Sequence, residues 1–76
     1  MFKGDLLLQW RTARGFSQAE SAGKVNITQE YWHALEHGKR IPSLTLLHVI
    51  SEVTGIKKSV LLGEYEHQQD EMTRMR

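Results

Sequence analysis

Residues 29–40 read QEYWHALEHGKR. A glutamine, two glutamates, two histidines and a Lys-Arg pair fall within about one helix length. His33 and His37 are four apart, a spacing that sets two imidazoles on one helical face, where zinc is often held. No third ligand is evident and the chain has no cysteine, so neither a metal nor another cofactor is expected. His33, Glu36 and His37 come with no nucleophile or cleft, and an enzyme is not expected. The remaining capacity is hydrogen bonding and charge. Gln29, Glu30 and His33 offer polar groups to a polar partner, and Lys39 and Arg40 suit an anion. On an arbitrary helix such residues are an ordinary solvated face, so the elements that carry them decide their meaning.

With 76 residues the chain is read as one domain, whose small size demands an efficient core. No apolar run approaches the ~18 residues of a membrane span. The N-terminal MFKGDLL lacks the apolar core and cleavage site of a leader. The expected location is therefore the cytoplasm, with no membrane partner. Net charge is +1, so any anion-binding surface must be local. Residues 1–40 carry six Lys/Arg against four Asp/Glu, and residues 41–76 four against five.

Five helical segments and no strand are expected. The first runs from about Asp5 to Arg14, with Leu7 and Trp10 on one face and Leu6 and Ala13 beside it. Ser17 and Glu20 form a capping box for the second, which reaches about Lys24 with Ala19 and Ala22 inward. Val25-Asn26-Ile27 is a tight turn, and Asn26 tolerates its left-handed position. Thr28 caps a third helix over about 28–37, stapled by Ile27 and Trp32 and continued by Leu35. Pro42 and Ser43 open a fourth, with Leu44, Leu47 and Ile50 inward and Gly55 as its stop. A short fifth passes through Val60, Leu61 and Leu62. Residues 64–76 are a polar tail, expected as a frayed helical extension or disorder, outside a domain of residues 1–63.

Two short helices joined by three residues form a helix-turn-helix, in which the helices cross steeply. Ala22 is the small residue the crossing needs, Asn26 makes the turn, and Trp32 and Leu35 anchor the second helix. Gln29, Glu30, His33 and Ala34 are left on its free side.

The run SQAESAGKVNITQEYWHALEHGKRIPSL resembles the Cro/lambda-repressor helix-turn-helix family, also called XRE-like. Arg11, Ser17-Gln18, Ala22, Thr28-Gln29, Leu35-Glu36, Gly38-Lys39, Pro42-Ser43-Leu44 and Gly55 carry the resemblance. It spans roughly residues 5–62. The resemblance implies an all-α, five-helix domain that binds double-stranded operator DNA as a homodimer, with the third helix in the major groove. It also implies an Arg11–Glu36 pair. The family usually has Leu at Ser21, Gly at Asn26, a smaller aliphatic at Trp32 and often Leu at Thr54. Trp32 is therefore expected to fill space that Ser21 leaves.

Within that frame Gln29, Glu30, His33 and Ala34 are the candidate base readers, since Gln matches adenine N6/N7 and Glu accepts from cytosine N4. The candidate phosphate contacts are Gln18 through its backbone N–H, Thr28, Tyr31, Lys39 and Arg40, with Arg14 and Lys24 peripheral. Leu61, Leu62 and Tyr65 are the candidate dimer surface. The expected function is a transcriptional regulator, repressor-like. The alternative is an antitoxin or adaptor that uses the fold for protein contacts, with the tail as a partner-binding segment.

Overall fold

The computed structural model describes residues 1–63, which form five helices and, among the described residues, no strand. These are α1 (Gly4–Ala13), α2 (Gln18–Lys24), α3 (Gln29–Glu36), α4 (Leu44–Thr54) and α5 (Lys58–Leu61). All five expected helices are present.

Local chemistry sets most of the boundaries. Ser17 Oγ accepts from the Glu20 N–H at 3.0 Å, and Glu20 Oε1 accepts from the Ser17 N–H at 2.8 Å, closing the capping box. Thr28 Oγ1 accepts from the Tyr31 N–H at 3.1 Å and starts α3. Ser43 does the same for α4 through the Leu46 N–H. Asn26 has φ 63° in the α2–α3 turn, and Gly55 ends α4 at φ 76°.

The core comprises Phe2, Leu7, Ala22, Val25, Trp32, Leu35, Leu46, Leu47, Ile50 and Leu61. α3 packs on both α2 and α1, and α5 closes on α4. The Lys3 N–H donates to the Leu61 carbonyl at 2.6 Å, drawing the N-terminal segment onto α5. Gly4 allows α1 to meet the end of α3, because a Cβ there would lie 1.8 Å from the Leu35 carbonyl oxygen.

Several expected placements change. Leu44 is 83% exposed, and Leu46 joins Leu47 and Ile50 in the core. At about 100° per residue, Leu44 falls roughly 100° from the centre of the 46–47–50–54 stripe. Ala19 and Ala13 are exposed for the same reason. Leu61, expected at a dimer surface, is fully buried. A four-residue helix has one inward position in its last turn, and Leu61 occupies it. Leu62 is half-buried, and Tyr65 lies outside the described residues.

Ser21 and Trp32 are both buried, and Trp32 packs against Trp10 with centroids 6.4 Å apart. Thr54 is also buried, but its hydroxyl donates to the Ile50 carbonyl and accepts from the Ile56 N–H. A polar residue there therefore leaves nothing unsatisfied.

Candidate nucleic-acid interface

Helix α3 is sharply two-sided. Trp32, Leu35 and Glu36 are buried, whereas Gln29, Glu30, His33 and His37 are exposed. Ala34 and Tyr31 are half-buried on its flanks. The 3.6-residue period makes this division: residues 32, 35 and 36 share the face that meets α1 and α2.

Glu36 is the centre of the buried side. Its carboxylate accepts from Arg11 through Nε at 2.6 Å and Nη2 at 3.3 Å. It also accepts from Gln18 Nε2 at 3.0 Å and from the Trp32 indole N–H. Burial pushes its pKa up, but the hydrogen bonds from Arg11, Gln18 and Trp32 together outweigh that and leave it below its ordinary value. Arg11 is further held by the Phe16 carbonyl at 3.1 Å. One carboxylate thus ties together α1, the start of α2 and the end of α3. The expected Arg11–Glu36 pair is present and links α1 to the end of α3.

On the outer side, Gln18, Gln29, Glu30 and His33 line one shallow pocket of about 280 Å³. Three of the four expected base readers are therefore brought together, with Ala34 set to the side. Gln18 contributes from α2. Its Nε2 also lies 3.1 Å from His33 Nδ1, so its side chain serves the protein and any phosphate contact is left to its backbone. Fifteen residues separate Gln18 from His33, and no sequence signal pairs them. The Trp32–Glu36 bond has a signal, since i and i+4 are helical neighbours.

Arg40 lies over the Tyr31 ring, 4.8 Å from its centroid. The loop after α3 is thus held beside the helix, with Lys39 and Arg40 both exposed. The Lys39 N–H donates to the Ala34 carbonyl at 2.8 Å, which fixes the start of that loop. Thr28 is exposed at the head of α3 and caps it. The peripheral candidates are turned onto aromatic rings: Arg14 lies over Trp10 and Lys24 over Phe16.

Among the described residues no group of three His, Cys, Asp or Glu side chains could hold a metal ion. The His33 and His37 rings pack on one another instead, with centroids 4.2 Å apart. No described helix is long and apolar enough to cross a membrane.

A five-helix fold with a capped α2, an Asn turn and a polar α3 face defines the helix-turn-helix class of DNA-binding domains. A family model for the helix-turn-helix domain matches residues 4–61, and the chain belongs to this family, in its Cro/lambda-repressor, XRE-like branch. No curated protein sequence matches the chain. Among solved structures, SinR, the master regulator for biofilm formation, in complex with DNA is 28% identical with a TM-score of 0.68. That match covers 78% of this chain and 95% of the chain in that structure. The restriction-modification controller protein C.AhdI from Aeromonas hydrophila is 29% identical with a TM-score of 0.66, covering 76% of this chain and 84% of its own. The SinR–SinI protein complex matches at 25% identity and a TM-score of 0.70, covering 93% of this chain and 74% of that one.

Proposed function

We propose that this protein is a transcriptional regulator, repressor-like, that binds double-stranded operator DNA with α3 in the major groove. The observation that carries the reading is the two-sidedness of α3. Trp32, Leu35 and Glu36 hold it rigidly to the domain, while Gln29, Glu30 and His33 share one outward surface. Gln29 and His33 read bases, Glu30 accepts from a cytosine amino group, and Ala34 makes an apolar contact at the edge. Thr28, Tyr31, Lys39, Arg40 and the Gln18 backbone N–H meet phosphates. SinR, of similar fold, has been solved with DNA, which supports the reading. The protein acts in the cytoplasm and not as an enzyme, on this reading, with residues 1–63 as its DNA-binding domain.

It binds as a homodimer, because two half-sites give a small domain more affinity than one. With Leu61 committed to the core, Leu62 and Tyr65 remain the candidate contacts from the fifth helix onward. Selection from random duplexes, followed by footprinting and sedimentation, tests all of this together. The expected result is an enriched pair of half-sites about one helical turn apart, protected by a dimer. Failure to enrich any sequence removes the DNA-reading proposal, and a monomer on DNA removes the dimer.

A second reading is an antitoxin or adaptor that binds a protein partner through residues 64–76. The match to the SinR–SinI complex, which covers more of this chain than the DNA complex does, favours it. One stable protein partner in a pull-down, together with no selected sequence, is its signature.

A further inference from the structure

Gln18 Nε2 sits between two acceptors, 3.0 Å from Glu36 Oε1 and 3.1 Å from His33 Nδ1. An ionised carboxylate only accepts hydrogen bonds. Glu36 already receives Arg11 and the Trp32 indole, which favour its charged form. The end of the Gln18 amide that faces Glu36 is therefore the NH2 group, since the oxygen would set two acceptors together. That NH2 has a second hydrogen, and His33 Nδ1 is within its reach. A donor at that position needs a lone pair opposite it, so the ring proton belongs on Nε2. The His37 ring packs on His33 and restrains the imidazole in this orientation.

We infer that Gln18, itself set by Glu36 and Arg11, locks His33 in the Nε2–H tautomer, so that α3 presents a fixed donor that reads an acceptor-bearing base, guanine foremost. Gln18 is then a positioning residue and His33 a specificity determinant. Guanine shows two acceptors in the major groove, N7 and O6. Adenine pairs its N7 with an amino donor, and cytosine presents only a donor. A fixed N–H therefore favours guanine and opposes cytosine; the other tautomer would present a lone pair and reverse the order. The inference rests on the proposed insertion of α3 into the major groove.

Two measurements test it separately. The first needs no DNA. Long-range proton–nitrogen correlation on the 15N-labelled full chain, well above the ordinary histidine pKa of ~6.5, reports which ring nitrogen of His33 is protonated. A His33→Gln variant assigns the signals. Nε2–H is expected in the native chain, with a mixture of tautomers in Gln18→Met, which keeps the length and removes the donor. Nδ1–H in the native chain, or an unchanged ratio in Gln18→Met, overturns the inference whether or not DNA is bound. The second is selection from random duplexes. One position per half-site should prefer guanine, with that preference falling roughly tenfold in His33→Ala and weakening in Gln18→Met. A selected motif that is unchanged at every position in His33→Ala overturns the inference alone. Enrichment of no sequence overturns the proposed function and the base-reading half of the inference with it.

Discussion

Arg11 on α1 holds Glu36 at the end of α3 through two nitrogens of its guanidinium, across 25 residues of sequence. The Glu36 side chain has no exposed surface and that of Arg11 is 15% exposed. The pair bridges α1 and the end of α3. Its worth against an apolar substitute is small, but removing one member strands the other. Arg11→Met should lower unfolding stability by ~3 kcal/mol, read as a shifted urea midpoint. A loss within ~0.5 kcal/mol, the range of ordinary surface substitutions, would remove the pair from the structural account.

Glu36 also predicts an acid dependence. Its folded pKa is depressed below the ordinary carboxylate value of 4.5, so between the folded and unfolded values the unfolded chain binds more protons. The stability it contributes is fully present above about 4.5 and is lost as pH falls through the lower, folded value. Glu36→Gln has no such titration. Thermal melts of the two chains should differ most near neutral pH and converge in acid. A gap that is constant with pH would contradict the assignment. Glu20, lowered by the hydrogen bonds from the Ser17 backbone and hydroxyl, titrates in both chains and does not disturb the comparison.

Two glycines should respond oppositely to alanine. A Cβ on Gly4 meets the Leu35 carbonyl oxygen at 1.8 Å and its carbon at 2.9 Å, both backbone atoms. Gly4→Ala must push α1 off α3 and should cost ~3 kcal/mol. Gly23 lies within α2 with nothing within 4 Å of the added carbon. Gly23→Ala should stabilise by ~1 kcal/mol through helix propensity. Denaturant curves on both variants check this, and equal effects would contradict the packing.

Gln29 stands at the first position of α3, exposed beside Glu30 and His33. If it reads a base, Gln29→Ala should weaken binding to the selected site by ~1–3 kcal/mol and relax preference at one position. Competition binding with single-substituted duplexes measures both effects. Equal weakening on every sequence would assign Gln29 to the backbone.

Arg40 is held over Tyr31 beside the end of α3. If it meets a phosphate, Arg40→Ala should flatten the slope of log affinity against log salt by ~1. Binding titrations over a range of salt measure that slope, and an unchanged slope would take Arg40 out of the footprint.

Sequence alone made the local devices legible. The Ser17–Glu20 box, the Thr28 cap, the Asn26 turn and the Gly55 stop each involve residues within a few positions of one another, so side-chain chemistry and spacing define them. The apolar part of the buried face of α3 is legible for the same reason, because helical periodicity links Trp32 and Leu35. The Arg11–Glu36 pair came from family resemblance, not from spacing. The tertiary structure decided the rest. Leu46 rather than Leu44 faces inward because only the packed position of α4 defines the centre of its stripe. Leu61 turns into the core because the N-terminal segment closes against α5. Gln18 meets His33 and Glu36 because the steep crossing of α2 and α3 brings their side chains together. Such contacts depend on where whole helices lie, and hydrogen bonds between residues fifteen or more apart leave no periodic mark in the chain.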